Sequence, residues 1–580
     1  MKKYILSGIA LLTLMLPSCK EDNLDIPRKG TVTSEMFYSD PENAENAATY
    51  VYHAGQYGHV LGTGWSDNDW VWHGAIWLLT EACSDDIYFA SGHKDDHIMG
   101  LEMNEFRETF KSTNPIISRS YKSLYNIIRA CNLLLDAYHI DMVTDNPELN
   151  KVVNRSVAEA KVMRAYCHFV LGTYWGTPPI VKSVLAGGDD IPQASSQKEI
   201  FDFCIADLEE AKDYLPSKAN KEDANLCIRF TKEFALALKG KVEIFNKDYE
   251  AAKKSLKAVI DSELYDLVPG SEMKNLYHKA GDGSVEKVFE FNYIDNPGNI
   301  DEFTGPTNYH VTLAIGWRYV ASMPNNIKTN GWGSMNPSKS FAEALIANDG
   351  EDSDRRKAWI VTYKEMLYGS DIIKFDPVAF DTTEELRQIR PLKRGVVKEG
   401  VYGNAGYWQY KRIGLISDET SFHTDCTDNN YVIMRYAEVL LLYAEACAMT
   451  SDGDGSGLAA LNKVQSRAGS KTISDKLTME AVKNEKRFEM FLDGCRFPDL
   501  VRWGDAAEVL KDQGKEIPTF VDLNKVEGTK ITLESKMRTD LIWDSYNTVY
   551  GFKTNKNELM PFPFEALQVN KSLKQNPGWE

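Results

Sequence analysis

Residues 430–446 read Asn430-Tyr431-Val432-Ile433-Met434-Arg435-Tyr436-Ala437-Glu438-Val439-Leu440-Leu441-Leu442-Tyr443-Ala444-Glu445-Ala446. Apolar and small residues recur at helical spacing, and the pattern predicts a helix over 430–449. Glu438 and Glu445 lie seven apart, two helical turns, so they share a face. Arg435 and Glu438 stand at i,i+3, the spacing of an ion pair on a helix. Arg496, Asp499 and Arg502 alternate charge at the same spacing. The flanking Leu440-Leu441-Leu442, Phe488 and Phe491 favour burial. These charges would then form an ion network that fixes how helices dock, not a solvated face.

The 430–449 helix pairs in sequence with a second over 456–468, and a third follows over 478–494. Earlier pairs recur at 116–138 with 151–172, 197–214, and 231–246 with 248–262, after an Ala-rich helix over 41–57. The 151–172 helix stops at Gly176-Thr177-Pro178-Pro179. Helix pairs repeated along a chain predict a mainly α fold, a tetratricopeptide-like α-α superhelix. The Trp-Leu-Gly-Tyr signature of that repeat is missing, so the repeats are degenerate. Residues 270–420 are irregular and rich in Gly, Pro, Asn and Trp; a loop-rich region of that length packed on a superhelix is usually functional.

At the amino terminus, Lys2-Lys3 precede an apolar run from Tyr4 to Leu16 that ends at Leu16-Pro17-Ser18-Cys19. This has the form of a secretory signal peptide over residues 1–18. The run is too short for a membrane span, which needs roughly 20 residues. A Cys at the cleavage point suggests a lipoprotein with the lipid on Cys19, although Pro17 departs from the usual residues before such a Cys. Residues 19–40 then form a lipidated tether. The divisions that follow are a helical region over 41–270 and a second region over 271–580. The latter holds irregular loops to 425, helical pairs over 426–510 and carboxy-terminal loops, the whole forming one compact unit.

With 43% hydrophobic and 26% charged residues the chain is globular in composition. Its net charge of −18 argues against nucleic acid, which needs a dense Lys/Arg face. Nine Cys include no Cys-x-x-Cys pair, and Cys131, Cys167, Cys204 and Cys447 fall inside apolar helical patterns, as buried thiols do. Asp452-Gly453-Asp454-Gly455-Ser456-Gly457 has the start of a calcium loop, but its twelfth position is Lys463, so it reads as a turn. No Gly-x-Ser-x-Gly, His-Glu-x-x-His or phosphate loop occurs. The sequence calls for no metal, cofactor or catalytic residue.

Three stretches together resemble the SusD (RagB) family of outer-membrane glycan-binding lipoproteins of Bacteroidetes. One is Arg164-Ala165-Tyr166-Cys167-His168-Phe169 through to Pro179. The second, and most specific, is the 430–446 stretch with Leu461-Asn462-Lys463-Val464-Gln465-Ser466-Arg467-Ala468-Gly469, Glu485-Lys486-Arg487-Phe488-Glu489 and the 493–504 segment. The third is Leu559-Met560-Pro561-Phe562-Pro563 with Gln575-Asn576-Pro577-Gly578-Trp579. Lys20-Glu21-Asp22 behind Cys19 is similar to the surface-export signal of Bacteroidetes lipoproteins.

The resemblance implies a non-catalytic oligosaccharide-binding lipoprotein on the outer face of the outer membrane. It would deliver glycan to a SusC-like TonB-dependent transporter. Peptide cargo, as in RagB-like members, and glycoside hydrolysis are the alternatives. A hydrolase would need two carboxylates roughly 5–9 Å apart across a sugar, and nothing in the sequence points to such a pair. The family places its ligand site on loops of the amino-terminal third and of the irregular middle. Candidates here are Trp70 and Trp72 with Asp69, His93 and Asp95 as polar partners, and Trp317, Tyr319 and Trp332. Sugar rings present flat C–H faces to aromatic rings, and their hydroxyls need polar partners. For each Trp the alternative is core packing.

Overall fold

The computed structural model describes residues 33–60, 75–89, 97–185, 190–223, 227–293, 315–318, 324–327, 331–374, 401–418, 427, 429–515, 517–522, 535–538 and 549–580. Besides four short helices at Ser34–Tyr38, Tyr363–Tyr368, Ala506–Val509 and Phe564–Val569, the described helices are α1 (Ala44–Val60), α2 (Ala75–Ala82), α3 (Ile98–Asn104), α4 (Pro115–Ala137), α5 (Pro147–Trp175), α6 (Gln197–Ala211), α7 (Lys232–Phe245) and α8 (Tyr249–Asp261). They continue as α9 (Lys339–Asp349), α10 (Asp354–Trp359), α11 (Tyr436–Met449), α12 (Ser456–Ala468), α13 (Met479–Glu489) and α14 (Arg496–Trp503). From α4 to α8 each helix packs on the next; α8 packs on α11, and α11 on α12. This is the mainly α array of helix pairs that the periodicity predicts. Among the described residues no helix is long and apolar enough to cross a membrane.

Helix starts are written in the sequence as caps. Asn114 and Asn146 each precede a proline and accept a backbone N–H of the first turn, from Ile116 at 3.0 Å and Leu149 at 3.2 Å. Asn146-Pro147 therefore opens α5 earlier than the predicted residue 151. Thr231 and Asp248 cap α7 and α8 in the same way, at 3.0 and 3.2 Å.

The strands are short and antiparallel: β1 (Ile87–Tyr88) with β3 (Asn336–Pro337), β2 (Lys287–Phe291) with β7 (Tyr431–Arg435), and β4 (Ile360–Thr362) with β6 (Tyr407–Gln409). A further sheet joins β5 (Val401–Tyr402), β8 (Thr519–Asp522) and β9 (Ser535–Arg538). The predicted helix over 430–449 is thus two elements. Tyr431-Val432-Ile433 is rich in β formers and pairs with β2, whose residues are all buried. The chain turns helical only at Tyr436, whose N–H donates to the Glu286 carbonyl at 2.8 Å.

One core cluster runs from Ala44 to Leu573, through the helical array and the carboxy-terminal helices. A second gathers Trp317, Ile327, Val361, Trp408, Tyr410 and Phe520. The carboxy-terminal tail closes over the end of α5. The Met560 N–H donates to the Tyr174 carbonyl at 2.7 Å, the Trp175 indole N–H to Pro561 at 2.9 Å, and Asn576 Nδ2 to Trp175 at 3.0 Å. The seven described cysteines are free and buried. The 452–457 segment is a helix-opening turn. Asp452 accepts N–H bonds from Gly457 and Leu458, and Asp454 accepts from Ser456, which spends both carboxylates locally.

The charges of the 430–502 region do form a buried network, with partners other than those the spacing suggests. Arg435 does not pair with Glu438. Its guanidinium reaches Glu286 at 2.8 Å, Asp493 at 3.1 Å and Glu489, where Arg467 also binds. Glu438 takes Lys241 at 2.7 Å, and Glu445 takes Arg502 and the Trp503 indole N–H. Arg355 binds Asp349 through two nitrogens, at 2.7 and 2.8 Å, and reaches Glu485 and Glu489. These bonds tie α9, α10, α12, α13 and the β2–β7 pair into one block, and join α11 to α7 and α14.

Lys411 is buried here with its ammonium over the rings of Tyr277 and Trp359, at 4.4 and 4.2 Å, and 2.9 Å from Asp493. Burial pulls its pKa down to about 7, against the pull of Asp493. Between pH 7 and 10 the unfolded chain binds this proton and the folded chain does not, so this group makes stability rise with pH. The buried thiols, whose pKa values burial raises, act in the opposite direction, so the Lys411 contribution is read as a difference. Denaturant titrations at pH 7 and 9 are expected to show the wild type gaining stability relative to Lys411→Met as pH rises, and an equal pH dependence in the two proteins would refute the assignment.

Candidate functional site

Described residues beside the two sets of candidate loops come together. β1, between Trp72 and His93 in sequence, pairs with β3, just after Trp332. The Ser338 N–H, at the start of α9, donates to the Asp86 carbonyl at 2.7 Å. Asn104, at the end of α3 and 1% exposed, holds the frame. Its Nδ2 donates to the carbonyls of Ala82 and Ser84, at 2.8 and 3.2 Å, and its Oδ1 accepts the Phe89 N–H at 3.1 Å. A Cβ on Gly100 would stand 2.0 Å from the Phe89 ring, so only glycine lets α3 lie this close.

Trp332 is clamped by backbone on both sides. The Gly331 and Gly333 N–H groups donate to Trp317 and Gly316 carbonyls, each at 2.8 Å, and Asn336 Nδ2 donates to the Gly333 carbonyl at 2.8 Å. Gly333 has φ +75° and abuts Arg318, where a side chain would be strained. The half-buried Trp332 ring rests partly on the core and lies 5.0 Å from the His97 ring. Tyr88, half-buried, packs near Leu101, Tyr402 and Ile517, and Ile98 is exposed. The result is a rim formed by His97 and Trp332, with the exposed Ile98 next to His97 in sequence. Nothing in the local sequence of His97 marks it as a partner of Trp332; only the fold joins them.

Other sequence candidates fare differently. Trp317 is a core side chain, 1% exposed, with its indole N–H donated to the Gln409 carbonyl at 2.7 Å. Its ring face is occupied by packing, and it is withdrawn as a ligand contact. Asp85 and Asp86, in the first candidate stretch, are spent on α13 and α14. Asp85 accepts from Arg496 at 2.7 and 3.0 Å, and Asp86 from Arg487 at 2.7 Å. Burial works against ionising Asp85, yet Arg496 holds it below the usual carboxylate range; burial raises Asp86. Trp70, Trp72, Asp69, His93, Asp95, Tyr319 and Cys19 lie outside the described residues. Among the described residues no group of three or more His, Cys, Asp and Glu side chains could hold a metal ion.

The sequence profile of the SusD family matches residues 286–579, just over half of the chain, and the chain belongs to that family. A second profile, described as starch-binding associating with outer membrane, matches residues 79–244. The SusD-like protein P2 of Formosa agariphila is 25% identical over 540 residues, covering 90% of this chain and 95% of that one. A laminarin binding SusD-like protein has a similar fold, with a TM-score of 0.68 and 23% identity over 93% of this chain and 99% of its own. So does surface glycan-binding protein A from Bacteroides thetaiotaomicron in complex with laminarihexaose, with a TM-score of 0.64 and 20% identity over 92% and 99%.

Proposed function

We propose that this protein is a non-catalytic oligosaccharide-binding lipoprotein, anchored through Cys19 at the outer face of the outer membrane, that passes glycan to a SusC-like TonB-dependent transporter. The observation that carries the reading is the Trp332–His97 rim, held rigid at the junction of the two loop stretches. A ring fixed before binding loses little freedom on contact, so its C–H face contacts count nearly in full. Family membership and the names of the relatives support a carbohydrate as the ligand. Trp70, Trp72, Asp69, His93, Asp95 and Tyr319 are proposed to complete the site.

The test is calorimetric titration with laminarihexaose, maltoheptaose and a panel of short peptides. Binding to a glycan without the appearance of new reducing ends is expected. Trp332→Ala is expected to weaken it by roughly 10- to 100-fold, the loss typical of a central aromatic anchor. Unaltered affinity in Trp332→Ala would remove the rim from the site. Binding to peptides alone would move the cargo to the RagB-like alternative, and new reducing ends would show hydrolysis.

A further inference from the structure

The guanidinium groups of α13 and α14 reach back to the segment that frames the rim. Arg487 of α13 donates through Nε to Asp86 Oδ1 at 2.7 Å, and its Nη2 lies 3.4 Å from Asp85. Arg496 of α14 holds both oxygens of Asp85, at 2.7 and 3.0 Å. Asp86 is 2% exposed, so water screens its bond to Arg487 little. The Arg487 guanidinium also sits 6.0 Å from the centre of the Phe341 ring of α9, which stacks on Phe491 at 4.2 Å. One side chain thus touches both the segment before β1 and the helix after β3.

From Asp86 a chain of bonds runs to Trp332. The Asp86 carbonyl accepts the Ser338 N–H at 2.7 Å, beside the pairing of Tyr88 with Asn336. Asn336 Nδ2 donates to the Gly333 carbonyl at 2.8 Å, and the Gly333 N–H donates to Gly316. Gly333 adjoins Trp332 in sequence. A charge-assisted bond is stronger than a neutral one, and loss of one partner leaves the other buried and unpaired. Without Arg487 the Asp86 carboxylate would turn toward Arg496, whose Nε stands 3.6 Å away. The carbonyl of the same residue, and with it the Ser338 bond, would shift.

We infer that Arg487 is a positioning residue for the ligand rim, which sets the Trp332 ring through Asp86, the β1–β3 pair and Asn336. The carboxy-terminal helices thereby govern the geometry of loops encoded far upstream of them. The effect of Arg487 on affinity rests on the glycan-binding reading; its effect on the ring does not.

Fluorine NMR of protein labelled with 5-fluorotryptophan reads the ring directly, and the line lost in Trp332→Phe assigns it among the 12 Trp. Arg487→Met is expected to shift the Trp332 line in the ligand-free protein. It is also expected to weaken binding of laminarihexaose or maltoheptaose, whichever the wild type takes, by about tenfold. Arg487→Lys keeps a cation beside Asp86 and is expected to recover part of both. Asp86→Asn cuts the same bond from the other side in a side chain of the same shape, and it is expected to reproduce the shift even if Arg487→Met fails to fold. Arg164→Met is the control: it breaks a buried pair with Asp207, 2.8 Å apart, that joins α5 to α6. It is expected to lower stability and leave the Trp332 line in place. A Trp332 line unmoved in Arg487→Met or Asp86→Asn, or moved equally in Arg164→Met, would overturn the inference, as would a moved line with wild-type affinity. A wild type that takes neither glycan counts against the glycan reading, and the ligand-free Trp332 line then decides the positioning role.

Discussion

Replacing Arg435 with methionine is expected to lower the unfolding free energy by about 3–5 kcal/mol, the cost of breaking a buried ion pair on one side. Arg435 is 1% exposed and faces the buried Glu286 and Glu489 and the partly buried Asp493. Methionine matches its apolar stem but leaves three carboxylates with one fewer cation among them. Arg467 still serves Glu286 and Glu489, and Lys411 still serves Asp493, which keeps the loss near the lower end of that range. Burial opposes ionising Glu489, but Arg467 and Arg435 hold its pKa down at about 2. A carboxyl lowered in this way stabilises the fold above its unfolded value near 4.3, and the contribution fades as pH falls toward 2. The Arg435 effect is therefore largest near neutral pH and shrinks in acid. The exposed pair of Lys151 and Glu148 is the natural control, since such pairs contribute only about 0.2–1 kcal/mol. Denaturant midpoints for Arg435→Met and Lys151→Met at pH 7 decide the matter. An Arg435 variant no less stable than the Lys151 variant would show that the network carries no net stabilisation.

Asn104→Ala is expected to cost about 3 kcal/mol and to weaken glycan binding as well. One amide satisfies the carbonyls of Ala82 and Ser84 and the N–H of Phe89, and each buried backbone group left alone costs roughly 1–3 kcal/mol. Relaxation and water entry recover part of that sum. The released segment is the 82–89 turn that carries Asp85, Asp86 and β1, so the loss extends to the rim. An affinity drop of about tenfold is expected beside the stability loss, of the order of one displaced contact. A destabilised variant that binds glycan as tightly as the wild type would separate Asn104 from the rim. A variant of wild-type stability would refute the bond set itself.

Helices α4 to α8 were legible because each has a recurring apolar face and a capping side chain in its own sequence, as at Asn146-Pro147 and Thr231. Tyr431–Arg435 was misread because the four-residue apolar run Tyr431–Met434 fits either period; the deciding partner, β2, lies about 145 positions earlier. Glu438 and Glu445 were recognisable as a charged face under apolar cover, but their partners Lys241 and Arg502 belong to other helices. The same limit divides the tryptophans. Trp332 announces itself by its flanking glycines, which the structure uses for a close backbone clamp. Trp317 carries no local sign that Gln409, 92 positions away, takes its indole N–H. The joining of His97 to Trp332 is a property of tertiary assembly and has no trace in either segment.

The clasp of Met560, Pro561 and Asn576 on Trp175 has a bearing on biogenesis. Helices made early emerge from the ribosome with the end of α5 uncovered, because its lid is encoded nearly 400 positions later. Contacts so distant along the polymer close slowly and late. A product interrupted before residue 560 would keep most of its helices yet display a bare indole to proteases and chaperones. The fold thus contains its own receipt for completed translation.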